Sequence, residues 1–142
     1  MAAKNQLTVS GHFKNLSQIG DFVTAAAVRA GLDERAVYAV QMAVDEACTN
    51  VIQHAYGGEG EGQIRLVCHV RADGLEVTIY DRGQPFDPSR VPELNTKAPL
   101  SERARGGMGM FFMRRLLDSV EYRFNTPEGN QLILFKRREP EE

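Results

Sequence analysis

The stretch VDEACTNVIQHAYGG, Val44–Gly58, sets two acids, an amide and a histidine on what is otherwise an apolar helix ended by paired glycines. Its apolar positions are Val37, Val40, Val44, Ala47, Cys48, Val51 and Ala55, in three- and four-residue steps, so one side of the helix faces a core. At about 100° per residue, Glu46 and Asn50 lie about 40° apart, with His54 about 40° further round. They make one polar stripe, flanked by Ala39, Met42 and Ala43 instead of the lysines and glutamates of a solvated surface, and so read as the wall of a cleft. Asp45 points away from Glu46 and reads as a surface charge. An isolated E-x-x-x-N is ordinarily just an exposed helix pair, so a function for the stripe needs a second constellation that meets it.

Working outward, Asp33 is a helix N-cap, with Leu32 and Val37 at the positions of a hydrophobic staple. Before it, Leu16, Ile19, Phe22, Val23, Ala26, Ala27 and Ala30 mark another amphipathic helix, stopped by Gly31, and Gln6 to Ser10 alternates as a strand. Past Gly57-Gly58 the period becomes two. Ile64, Leu66, Cys68 and Val70 run out, Asp73-Gly74 turns, and Leu75, Val77 and Ile79 return. Residues 82–106 form no regular element and read as a lid or binding segment. A short helix after Gly109 and two strands, Val120–Phe124 and Leu132–Lys136, joined by a turn over Pro127 to Asn130, complete the pattern. That order predicts a single α+β domain over residues 1–142, ordered from about 6 to 138. It is a two-layer sandwich with helices on one face of a mainly antiparallel, mixed sheet.

Composition excludes several classes. The chain has 142 residues, 42% of them hydrophobic, enough for one core that buries roughly two-thirds of the unfolded surface. Seventeen basic against nineteen acidic residues give a net charge of −2, with no general pull toward nucleic acid or anionic lipid. No segment approaches the roughly 20 apolar residues of a membrane span, and the start carries no signal-peptide core, so a cytoplasmic protein is expected. Cys48 and Cys68 lack CxxC spacing and read as buried, reduced thiols.

Two further constellations carry chemistry. In YDRGQPFDP, Asp81 closes a strand and can accept a hydrogen bond from an exocyclic amine such as that of adenine, while Gly83 allows backbone to approach a flat ligand. In RARGGMGMFFMRR, Gly106, Gly107 and Gly109 open a helix whose free N–H groups attract phosphate, and Arg103 and Arg105 add positive charge. Gly107-Met108-Gly109 lacks the third glycine of a dinucleotide fingerprint, and there is no Gly-Lys-Ser/Thr of a P-loop.

In this order the three motifs resemble the ATP-binding fold shared by gyrase, the 90-kDa heat-shock chaperone, histidine kinases and MutL. Within it the chain is most similar to the bacterial anti-sigma-factor serine/threonine kinases. AVDEACTNVIQHAY (Ala43–Tyr56) is similar to that family's first box, YDRGQPFDP to its second and RGGMGMFFMRRLLDSVEY to its third. The resemblance implies Glu46 as general base toward a protein hydroxyl and Asn50 as the side-chain ligand of Mg²⁺. It implies Asp81 on the adenine amine and Gly83 beneath the base. Gly106, Gly107, Met108 and Gly109 would cradle the phosphates of ATP or ADP, with Arg105 at the place of a basic residue. Gly106 stands where some members carry a hydroxyl, and Met110 replaces a bulkier side chain.

The partners implied are a sigma factor to sequester and a STAS-domain antagonist to phosphorylate, with a homodimer built on the first strand and helix. The alternative is a nucleotide-dependent binding module that transfers no phosphate. A histidine-kinase fragment fits less well, because no helix pair with a phosphoacceptor histidine precedes the first strand.

Overall fold

The computed structural model describes residues 4–86 and 109–139. Among these residues five strands form one sheet: β1 (Lys4–Ser10), β2 (Gln63–Arg71), β3 (Gly74–Asp81), β4 (Ser119–Thr126) and β5 (Gly129–Arg137). Their order is β1-β2-β3-β5-β4, and each neighbouring pair is antiparallel, so among the described residues the sheet has no parallel pair of the kind a mixed sheet would include. Among the described residues three α-helices, α1 (Leu16–Arg29), α2 (Glu34–Asn50) and α3 (Gly109–Leu116), accompany it, giving the expected α+β class.

Alternation decides which sheet face is covered. Leu66, Ile79 and Leu132 are cross-strand partners in one row, and Cys68, Val77 and Leu134 in the next. All six are buried, in one cluster with Ile19, Val23, Ala26 and Ala27 of α1 and Val40, Ala43, Val44 and Ala47 of α2. Burial of such side chains is worth about 1.5–3 kcal/mol each for the larger ones. Both cysteines are free and buried, and burial pushes the Cys68 thiol up to about 12. The opposite face carries Thr8, Arg65 and Tyr80, with the Arg65 guanidinium 3.9 Å above the Tyr80 ring.

The helix boundaries follow local chemistry. Gly31 takes φ +79°, and the Gly31 and Leu32 N–H groups close back on Val28 and Ala27 carbonyls, which ends α1. Asp33 then caps α2 by accepting from Ala36 N at 2.8 Å, while Leu32 is buried and Val37 packs on the core.

Three local features differ from the sequence expectation. Past Asn50 the helix widens into a π-turn over Val51–Ala55, with Tyr56 N donating to Val51 O at 2.9 Å. The first hairpin turns one residue early, since Arg71 pairs with Gly74 and the turn is 72–73. Gly74 lies within β3, where a Cβ would stand 2.2 Å from Lys136 O on β5; crowding by a neighbouring strand, not turn geometry, requires glycine there. The second hairpin is likewise tighter: Thr126 pairs with Gly129, and Asn130 already belongs to β5.

Candidate functional site

Glu46, half-buried, and Asn50 stand one turn apart on α2, and Asn50 is its last residue. Asp45 is exposed, as a surface charge should be. Asn50 is 1% exposed, yet neither its Oδ1 nor its Nδ2 has a hydrogen-bond partner. The Thr49 hydroxyl beside it and His54 Nε2 one turn on are also buried without partners. A buried amide atom left unpaired costs about 1–3 kcal/mol, and native interiors contain few of them. Two such atoms on one side chain leave Asn50 with hydrogen-bonding capacity that a ligand could take up.

Asp81 stands at the end of β3. The residue is 3% exposed, and its carboxylate takes two hydrogen bonds on Oδ1, from Gly83 N at 2.9 Å and Asn130 Nδ2 at 3.0 Å. Burial raises its pKa, and those two donors pull the other way without cancelling it. The chain leaving β3 is fastened to the end of α2. Gln84 N donates to Ala55 O at 2.8 Å, Arg82 N to the Tyr56 hydroxyl at 3.0 Å, and the hydroxyl in turn to Gln63 O. The Phe86 ring lies 5.8 Å from that of His54. Gly83 passes so close to the π-turn that a Cβ would sit 2.5 Å from Ala55 O, so its lack of a side chain already serves packing within the protein. The charge of Asp81 reaches α2 itself: burial first, then Asp45 and Asp81, raise the Cys48 thiol.

The two constellations touch through His54, Ala55 and Tyr56 on one side and Arg82, Gln84 and Phe86 on the other, past the ends of α2 and β3. From the third, Gly109 opens α3, which packs against α2. Arg103, Arg105, Gly106, Gly107 and Met108 lie outside the described residues, as does most of the 82–106 segment. A cavity of about 450 Å³ reaches Asp81 from the open face of the sheet, between Tyr56, Arg65, Tyr80 and Glu128, but touches neither Glu46 nor Asn50. It is a separate concavity.

The sequence matches the histidine kinase-like ATPase domain over residues 10–136. The chain belongs to that family. This ATPase-like domain is 30% identical over 135 residues to the serine-protein kinase RsbW of Listeria innocua, covering 92% of the chain and 83% of the relative. It is 32% identical over 138 residues to the RsbW of Halalkalibacterium halodurans, covering 94% and 84%. The RsbW of Bacillus pumilus is 33% identical over 123 residues, with 82% and 76% covered. Among solved structures, the RsbU and RsbW domains of a Mycobacterium tuberculosis protein superpose with a TM-score of 0.66 at 15% identity. That match covers 95% of this chain and 32% of the other, and it bears on the fold alone. The family found is the one the three boxes resemble.

Sequence reasoning missed Asn130, which it left in a turn. Asn130 is 2% exposed, faces Asp81 directly across the β3–β5 ladder, and bonds to both Asp81 and Gly83. One signal was available: Asn130 shares the parity of Leu132 and Leu134, so the strand pattern puts an amide on the buried face.

Proposed function

We propose that this ATPase-like domain is a Mg-ATP-dependent serine/threonine protein kinase and anti-sigma factor, sequestering a sigma factor in the cytoplasm and phosphorylating its STAS-domain antagonist. The observation that carries the nucleotide chemistry is the buried, unpartnered amide of Asn50 at the end of α2. The names of the curated relatives support the kinase activity.

The donor set suits a hard cation bound with phosphate. Among the described residues no group of three or more His, Cys, Asp or Glu side chains could hold a metal alone. Asn50 Oδ1 offers one oxygen, and the remaining ligands of a Mg²⁺ would be phosphate oxygens and water, as that ion prefers. The bound ion would neutralise charge on the triphosphate. Asp81 accepts the adenine amine on Oδ2. Gly83 passes below the base, and Gly106, Gly107, Met108, Gly109 and Arg105 receive the phosphates of ATP or ADP. Glu46, one turn from Asn50, orients the attacking hydroxyl and takes its proton. Phosphoryl transfer depends mostly on positioning and charge neutralisation, so little else is required of the protein.

The test is Glu46→Gln. ATP affinity should stay near the native value while phosphotransfer to a STAS-domain substrate falls on the order of 10²- to 10⁴-fold, the usual worth of a general base. Undiminished transfer removes Glu46 from the mechanism. Glu46 argues against the second reading, a binding module without transfer, because a pure binder has no use for that carboxylate; native protein with labelled ATP that labels no STAS protein from the same genome would favour it instead. A homodimer is part of the proposal, and a monomer by light scattering at micromolar concentration contradicts it.

A further inference from the structure

The hydrogen-bonding groups of Asn130 are used inside the protein. Its Oδ1 accepts from Asn125 N at 3.1 Å, which fixes the amide so that Nδ2 points into the site. Nδ2 then donates to Asp81 Oδ1 and to Gly83 O, both at 3.0 Å. Asn125 takes φ +50° in the bulged end of β4, so the β4–β5 hairpin sets the direction of the relay. Gly83 N adds a second donor to Asp81 Oδ1 at 2.9 Å. One oxygen of Asp81 therefore faces two N–H groups from different segments, and both bonds to this carboxylate fall on it.

We propose that Asn130 is the specificity-determining positioning residue of the nucleotide site: with Gly83 N–H it pins Asp81 Oδ1, leaves Oδ2 as the acceptor turned to the base, and so selects a purine bearing an exocyclic amine over one bearing a carbonyl. This rests on Asp81 being the base contact, as proposed above. The clamp has a consequence that an unclamped carboxylate lacks. An amide placed at position 81 could meet the two donors only with its carbonyl oxygen, because its NH₂ would oppose them donor to donor. The NH₂ is then forced to where Oδ2 was. A donor in that place suits a 6-oxo purine and repels a 6-amino one, so Asp81→Asn does more than weaken recognition of ATP; it reverses the choice of base.

The test titrates Mg-ATP and Mg-ITP, which differ at the purine 6-position, into purified protein by calorimetry. Native protein should bind ATP at least about tenfold more tightly than ITP, the worth of one charge-assisted hydrogen bond. Asp81→Asn should bind ITP more tightly than ATP. Adding Asn130→Ala to that variant should shrink the reversal severalfold, since Gly83 N–H is then the one donor left to orient the amide at 81. Asn130→Ala alone should lose affinity for ATP and little for ITP. Asp81→Asn that keeps the ATP preference or loses both nucleotides overturns the inference, as does a reversal undiminished by the loss of Asn130. So does Asn130→Ala weakening ATP and ITP equally, the mark of a merely structural residue; that arm decides the matter if the position-81 variants do not fold. Native protein that binds neither nucleotide sinks the proposed function instead.

Discussion

Asn50 and Asp81 are both polar and buried, but they bear differently on stability. Asn50 carries two unpaired atoms, so removing them relieves the ligand-free protein. Asn50→Leu should therefore leave the ligand-free melting temperature unchanged or higher, while the rise produced by Mg-ATP disappears. A fall in ligand-free stability with the nucleotide response intact would show that Asn50 serves the core. Asp81 is fully bonded on Oδ1 yet desolvated, and desolvation prevails, so its folded pKa stands above that of the unfolded chain. A carboxyl of that kind binds its proton more tightly when folded; its charge costs stability at neutral pH, and the cost fades as pH falls through the folded pKa toward about 4. Asp81→Asn keeps an acceptor for Gly83 and Asn130 and removes the charge. Ligand-free Asp81→Asn should melt higher than native protein at pH 7, with the gap closing as the medium is acidified; a gap that widens in acid contradicts the sign.

At the scale of elements, the contact between Tyr56, past α2, and Arg82, past β3, would hold the two halves of the proposed site together. The Tyr56 hydroxyl is its strut, donating to β2 through Gln63 O and accepting from Arg82 N at the exit of β3. Tyr56→Phe leaves the ring against Gly62 and removes both bonds, so thermal or urea denaturation should show a loss of about 1–3 kcal/mol. No measurable loss would mean that water replaces the strut. Much of this scale was legible in the sequence. Asp33 caps α2 and Gly31 stops α1 because caps and left-handed stops act within a few residues. The period-two runs gave five strands and the buried face of the sheet. The π-turn at Val51–Ala55 was not legible, since apolar residues there fit either helical width. Both hairpin turns were placed late because glycine was credited to turn geometry, whereas Gly74 answers to Lys136, more than sixty positions along the chain. Asn130 was overlooked for the same reason: its partner Asp81 is brought opposite by strand order, with β5 inserted between β3 and β4, and local reading cannot supply that order.

On the scale of the whole molecule, that insertion connects the proposed nucleotide site to the core. β3 is the central strand; its residues Leu75, Val77 and Ile79 are buried in the main cluster and its last residue is Asp81. α2 supplies the opposite wall of that cluster and ends at Asn50. A ligand that bridges Asn50 and Asp81 thus ties the helical layer to the sheet at the edge of one shared core, and separating the layers must first release it. Its binding energy should then appear in full as resistance to global unfolding. At a hundredfold excess over its dissociation constant, Mg-ATP should add about 2.7 kcal/mol to the unfolding free energy. Denaturation followed by both far-ultraviolet circular dichroism and the tyrosine signal should shift by the same amount in one transition. Separate transitions for the two signals, with only one moved by nucleotide, would show that the ligand stabilises a local segment and that the two layers can part without releasing it.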